Sequence, residues 1–345
     1  MTAVSRDSSE ALTLSELITQ CFLQGTDADA QLARTLPRAL WHDALLAPLR
    51  EFLARPGKGF RAGVVELGYR LGGGVASELP LELPLLVECL HAGSLIIDDI
   101  EDDSTERRGA PALHRSFGLP RALNAGNWLY FLPQALLARI PLSVEARLSA
   151  HERLSLCLLR CHEGQALDLQ LRVDQLQQRD VAQVALTISR LKTGGLLGLA
   201  SGLGALAAGA QDAHVTAIAE LGRELGVGLQ MLDDLSGVLN SARRHKALED
   251  LRHRRVTWLW AFLAEELDRS AYEAFTRELR AVMDGGCSDA LIERTRFRVG
   301  GLGLKLARQR VRNAIDALAA VIGHGNWVDE VLEQFNWLER RYVQA

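Results

Sequence analysis

Residues 85–103 read Leu85-Leu-Val-Glu-Cys-Leu-His-Ala-Gly-Ser-Leu-Ile-Ile-Asp98-Asp99-Ile-Glu-Asp102-Asp103. The run Leu85–Ile97 is apolar nearly all round a helix, and such a helix is enclosed by other helices. The acidic run follows it without a break. Asp98 and Asp102 are four apart, so on a helix they share a face about one turn, roughly 6 Å, apart. Asp99 and Asp103 repeat the relation on the neighbouring face. Carboxylates this close repel unless a cation intervenes. Mg2+ favours carboxylate oxygen and often bridges protein carboxylates to substrate phosphates. Next come Glu106-Arg107-Arg108-Gly109, and guanidinium forks match phosphate oxygens. An acidic helix end carried into the protein interior beside paired arginines points to metal-assisted diphosphate chemistry.

Working outward, helix formers dominate the chain: Leu, Ala, Glu, Arg and Gln. Apolar residues at helical spacing predict helices over 81–103, 144–170, 180–208, 212–241 and 256–284. No strand alternation bounded by hairpin turns is visible. The prolines, Pro133 among them, read as breaks, and Gly285–Gly286 and Gly300–Gly301 read as turns. The expected architecture is all-α, a single-domain helical bundle with a central active-site cavity. Residues 10–345 form that one domain, and residues 1–9 are a disordered N-terminus. The Gly-rich apolar stretch 194–210 is short for a membrane span and reads as a buried bundle helix, so no membrane span is expected.

Net charge is −4 and the basic residues are scattered, which argues against a nucleic-acid partner. The start of the chain lacks the basic, apolar and small-residue segments of a secretory signal. The five cysteines are odd in number and contain no CxxC pair, so neither a disulfide framework nor a zinc site is indicated. A cytoplasmic location fits. Cys157 and Cys161 share a helical face and read as small buried residues.

The stretch His91–Gly109 resembles the first aspartate-rich motif of trans-isoprenyl diphosphate synthases, and is closest to the geranylgeranyl diphosphate synthases. Other segments resemble further motifs of that family. Pro56-Gly57-Lys58-Gly59-Phe60-Arg61 is similar to its GK-x-x-R motif, with Gly59 where many members have a second Arg. Glu163-Gly164-Gln165-Ala166-Leu167-Asp168 resembles its GQxxD helix, and Lys192-Thr193-Gly194 its KT motif. Gln230-Met231-Leu232-Asp233-Asp234-Leu235-Ser236-Gly237 resembles the second aspartate motif, with Gly237 in place of the last Asp. Glu249-Asp250-Leu251 fits a later segment, whose usual Lys is Arg255 here. The resemblance covers about residues 56–262.

The resemblance implies the isoprenoid-synthase helical fold, a homodimer, and a prenyltransferase that joins an allylic diphosphate to isopentenyl diphosphate. It implies Mg2+, three ions with diphosphate bound, held by Asp98, Asp99 and Asp102 on one wall and by Asp233 and Asp234 on a facing one. Arg107, Lys192 and Thr193 would then hold the allylic diphosphate. Lys58, Arg61, His91 and Arg108 would hold the isopentenyl one. Gln165 and Gln230 would serve the catalytic centre, and Asp168 would support the metal shell. Product length is set by bulk just before the first motif, where this chain has Gly93 and Ser94, so a C20 or longer product is expected. Trp128, Tyr130 and Phe131 are the alternative, as a tunnel floor or as ordinary aromatic core. Two other functions compete. Gly237, Gly59 and Arg255 favour a terpene cyclase on the same fold, and the altered second motif favours a non-catalytic modulatory subunit.

Overall fold

The structure, a computed structural model, describes Ile18, Phe22 and residues 27–55, 59–283 and 288–343. The expected disordered segment 1–9 and the Gly285–Gly286 turn lie outside the described residues. Those residues are helical apart from short connections and one two-residue ladder. They group into two compact units, residues 1–63 with 80–143 and residues 64–79 with 144–345.

The first unit contains α1 (Ala47–Leu53), the opening turn of α2 (Phe60–Leu71), α3 (Glu82–Glu101), strands β1 (Glu106–Arg107) and β2 (Ala110–Pro111), and α4 (Leu119–Leu137). Helix α3 is the apolar run. Its Leu86, Val87, Cys89 and Ile96 are fully buried, as are Leu129 and Leu136 of α4. The two helices touch at backbone distance, because a Cβ on Gly93 would lie 2.9 Å from the Gly126 carbonyl oxygen. The small size of Gly93 therefore serves helix contact and does not open a tunnel. Phe131 points outward, 73% exposed, and is neither floor nor core. Pro133 is no break either: it sits inside α4. A proline there costs about 3 kcal/mol of helix stability. Burial of its neighbours Leu129, Leu132, Leu136 and Leu137, at roughly 1.5–3 kcal/mol each, outweighs that.

The second unit takes the rest of α2, then α5 (Val144–Gln170), α6 (Gln178–Ser189), a wide π turn (Arg190–Gly194), α7 (Gly195–Ala207) and α8 (Asp212–Leu239). It ends with α9 (Arg244–Arg252), α10 (Trp258–Glu266), α11 (Arg269–Met283), α12 (Ser288–Ile322) and α13 (Trp327–Val343). Helix α7, the Gly-rich stretch, is buried almost throughout. It lies directly on α2, where a Cβ on Gly204 would meet the Val65 carbonyl oxygen at 2.2 Å. No helix among the described residues is long and apolar enough to cross a membrane. Cys157 and Cys161 are free thiols 3.9 Å apart on α5, Cys157 buried and Cys161 partly so.

Three expected boundaries are corrected. The helix over 180–208 is divided by the π turn. The helix over 256–284 breaks at Leu267–Asp268, where the Asp268 carboxylate accepts from the Ala271 N–H and starts a new helix as an N-cap. Gly300 and Gly301 lie within α12 and make no turn. A Cβ on Gly300 would come within 2.8 Å of Leu239, so that glycine lets α12 approach α8.

Candidate active site

In the first unit, α3 carries the acidic run to its end. Asp98 is half-buried and Asp99 wholly buried. Asp102 stays in helical conformation and donates its N–H to the Asp98 carbonyl. Asp103 turns away at φ +52° and its carboxylate accepts from Arg115 at 2.6 Å. The expected Asp99/Asp103 face is therefore not formed. The cation beside the run is Arg107. Its Nε donates to Asp99 Oδ1 at 2.7 Å, and a terminal nitrogen lies 3.7 Å from Asp98 Oδ2. Asp99 Oδ2 is buried with no hydrogen-bond partner. Burial pushes the Asp99 carboxyl up and Arg107 opposes it.

The β1–β2 hairpin aims Arg107 at α3. Arg108 and Gly109 both have positive φ, +55° and +77°, as a two-residue hairpin turn requires. Arg55, itself buried, pins the hairpin by donating to the carbonyls of Arg107 (2.9 Å) and Pro111 (2.7 Å). Nothing in the sequence around Arg55 signals this. On α3, two turns before the acidic run, His91 is held well below its ordinary value of 6.5 by burial and by the charges of Arg61, Arg108 and Arg107. It is a neutral imidazole. Glu88 is pushed up by burial, with Arg61 and Arg108 opposing, and so belongs to the same cluster. Lys58 lies outside the described residues. Gly59 has φ +62°, so a side chain there would be strained whatever its charge.

In the second unit, α8 carries Gln230, Asp233 and Asp234. Asp234 is buried. It accepts from Gln230 Nε2 at 2.9 Å and from the Trp258 backbone N–H at 2.8 Å. Burial raises its carboxyl from 3.8 to about 7. Asp233 accepts from Arg243 at 2.9 Å. The residue that the motif does not announce is Lys246. Its Nζ lies 3.2 Å from Asp233, 3.2 Å from Asp250 and 4.0 Å from Asp234. Lys246 and Asp250 share a face of α9 by their i, i+4 spacing. Helix α9 comes this close because residue 237 has no side chain: a Cβ on Gly237 would lie 2.9 Å from the Ala247 nitrogen. The carboxylate missing at 237 is thus matched by Asp250, brought in on the helix that Gly237 admits.

Lys192, in the π turn, donates to Asp168 Oδ2 at 2.6 Å, and Arg255 lies 3.3 Å from Asp168 Oδ1. Burial would raise the Asp168 carboxyl, but Lys192 and Arg255 outweigh it and hold it below the usual range. Its two oxygens therefore serve two cationic side chains, Lys192 and Arg255. Gln165 is half-buried one turn earlier on α5. Thr193 Oγ1 donates to Gln230 Oε1 at 2.8 Å, so Thr193, Gln230, Asp234 and Trp258 form one hydrogen-bonded chain. A cleft of about 550 Å3 in this unit, beside Met231, Trp258 and Arg310, is lined by none of the expected site residues.

Both acidic sets consist of hard oxygen donors. One has a buried oxygen without a partner, and the other already surrounds a cationic group. Oxygen donors of this class are those a divalent cation takes, but among the described residues no three His, Cys, Asp or Glu side chains are gathered so that they could hold one.

Residues 42–284 match the Polyprenyl synthetase family profile. The chain belongs to the polyprenyl synthetase family. It is 29% identical over 281 residues to a geranylfarnesyl diphosphate synthase of Aeropyrum pernix, covering 77% of this chain and 85% of that one. It is 36% identical over 159 residues to a geranylgeranyl diphosphate synthase of Sulfolobus acidocaldarius, covering 44% and 46%. A polyprenyl synthetase structure from Streptomyces coelicolor superposes with a TM-score of 0.69 at 25% identity, covering 84% and 86%. This polyprenyl synthetase is accordingly a trans-prenyltransferase of the geranylgeranyl or polyprenyl diphosphate synthase type. The family acts on isopentenyl and allylic diphosphates and uses a divalent metal to hold diphosphate.

Proposed function

We propose that the enzyme condenses an allylic diphosphate with isopentenyl diphosphate at a Mg2+-dependent centre and releases a product of C20 or longer. One observation carries the reading: Asp99 is buried at the end of an apolar helix, beside Asp98 and Arg107, with one oxygen unpartnered. Asp98, Asp99 and Asp102 are one set of metal-holding residues. Asp233 and Asp234 are the other, with Asp250 in place of the carboxylate absent at 237. Three Mg2+ ions held there would make diphosphate a better leaving group and neutralise the charge that develops on it.

The chain's own residues do the rest. Arg107, Lys192 and Thr193 hold the allylic diphosphate, with Asp168 and Arg255 orienting Lys192. Lys58, Arg61, His91 and Arg108 hold isopentenyl diphosphate, and neutral His91 contributes an N–H donor. Gln165 and Gln230 orient groups at the centre. The apolar helices exclude water, which would quench an allylic cation. The double bond of isopentenyl diphosphate attacks that cation and a proton is lost. Relatives named for geranylgeranyl and geranylfarnesyl products support the product length.

We place the enzyme in the cytoplasm as a homodimer with one isoprenoid-synthase domain over residues 10–345. On α5, Val144, Leu148, Leu156 and Leu159 are large, apolar and exposed, which suits burial against a second copy. Light scattering should return twice 37.8 kDa, and a monomer would reject the dimer. For the reaction, the test is incubation with Mg2+, isopentenyl diphosphate and each allylic diphosphate in turn, followed by product mass. A C20 or longer prenyl diphosphate is expected, and a C15 stop would reject the product length. Asp98→Ala should abolish turnover with helical content unchanged.

A further inference from the structure

The π turn Arg190–Gly194 adds a residue to a helical turn. Such turns are uncommon and persist where the surroundings over-determine them. Helix α8 supplies those surroundings. A Cβ on Gly226 would lie 2.6 Å from the Gly194 Cα and 2.7 Å from the Thr193 carbonyl oxygen, so the turn rests on bare α8 backbone. Thr193 is tied to Gln230 at the downstream end. At the upstream end, one terminal nitrogen of Arg190 donates to Glu220 at 2.7 Å and the other to Glu224. Glu224 also receives Arg310 from α12, and its side chain is only 13% exposed. Glu220 additionally accepts from Arg223 at 2.7 Å. Arg190 opens the turn and Lys192 stands two residues on, so the anchoring of Arg190 fixes the backbone from which Lys192 reaches Asp168.

We propose that Glu224 is a positioning residue for Lys192, acting through Arg190. The inference rests on the reading that Lys192 grips the allylic diphosphate. Two guanidinium groups converge on the Glu224 carboxylate. Without it, Arg190 and Arg310 face each other as like charges, Arg190 is left to Glu220 alone, and the turn loses its upstream anchor. A displacement of about an ångström at a phosphate-gripping group costs on the order of tenfold to a hundredfold in rate.

The test is steady-state kinetics of Glu224→Ala, Glu224→Asp, Arg190→Ala and Lys192→Ala, alone and as the double variant E224A/K192A. Glu224→Ala should lower kcat/KM for the allylic diphosphate by about tenfold or more, while KM for isopentenyl diphosphate stays unchanged. Glu224→Asp should restore part of the loss. In the Lys192→Ala background the Glu224 substitution should cost nothing further, since both act on one grip. Equal losses towards both substrates, or losses that multiply in the double variant, would overturn the proposal. If Glu224→Ala fails to fold, Arg190→Ala carries the same expectation, and the same results in that variant would overturn it. If Lys192→Ala itself leaves allylic kinetics unchanged, the reading of Lys192 falls and the proposal with it. If Lys192→Ala is impaired but the Glu224 and Arg190 variants are not, only the positioning role falls.

Discussion

The two acidic sets solve the same electrostatic problem differently. The run at 98–103 is contiguous in sequence. Arg107 faces Asp98 and Asp99 and Arg115 takes Asp103, and one Asp99 oxygen has no partner. The set on α8 and α9 is assembled from two helices. Asp233, Asp234 and Asp250 surround Lys246, Arg243 reaches Asp233, and a backbone N–H holds Asp234. The first set keeps acceptor capacity open, whereas the second is internally compensated. The difference assigns most of the stability cost of disturbance to the second set and most of the catalytic cost to the first.

Lys246→Ala breaks that contrast most forcefully. It leaves three neighbouring carboxylates without their shared cation and should destabilise the fold by about 2–4 kcal/mol. Added Mg2+ should recover more of the melting temperature in this variant than in the parent. Equal Mg2+ effects in both would mean that the second set does not take a cation. Arg107→Ala probes the other side. It should reduce kcat about a hundredfold or more while changing thermal stability far less than Lys246→Ala. A large stability loss with little kinetic effect would reverse the contrast.

Gly237→Asp restores the sequence motif but inserts a side chain against Ala247. It should cost about 1–3 kcal/mol by forcing α9 away, and should weaken Mg2+ binding measured by calorimetry. Tighter binding in this variant would show that the motif position, rather than Asp250, provides the carboxylate.

The smallest effect concerns pH. Folded, Asp234 keeps its proton to about 7, against 3.8 for the ordinary group. Its contribution to stability is therefore full below 3.8 and is lost as pH rises through about 7. In metal-free buffer Asp234→Asn should flatten that slope of melting temperature against pH, and an unchanged slope would contradict the burial argument.

The same two regions explain what the sequence could and could not disclose. The apolar run 85–97 leading into Asp98 and Asp99 specifies both a buried helix and its acidic end, because helical periodicity is local. The full length of α5, Val144–Gln170, was legible for the same reason. Gly237 read as an eroded ligand, since only the packed structure shows α9 lying on it and carrying Lys246 and Asp250 inward. Gly59 and Arg255 likewise read as losses. One occupies a left-handed backbone position, and the other joins Lys192 on Asp168. The π turn and Arg55 are tertiary features with no periodic signature. Gly93 misled for the converse reason: absence of bulk looked like open space and proved to be contact with α4.

The central claim is that bound Mg2+ lets these carboxylates draw diphosphate off an allylic carbon for condensation. The most direct measurement is a single-turnover reaction of enzyme with an allylic diphosphate and isopentenyl diphosphate, following inorganic diphosphate and elongated product together. With Mg2+ the two should appear in equal amounts, and neither should appear with EDTA or in Asp98→Ala. Diphosphate released without elongated product, or elongation that persists without divalent metal, would contradict the account.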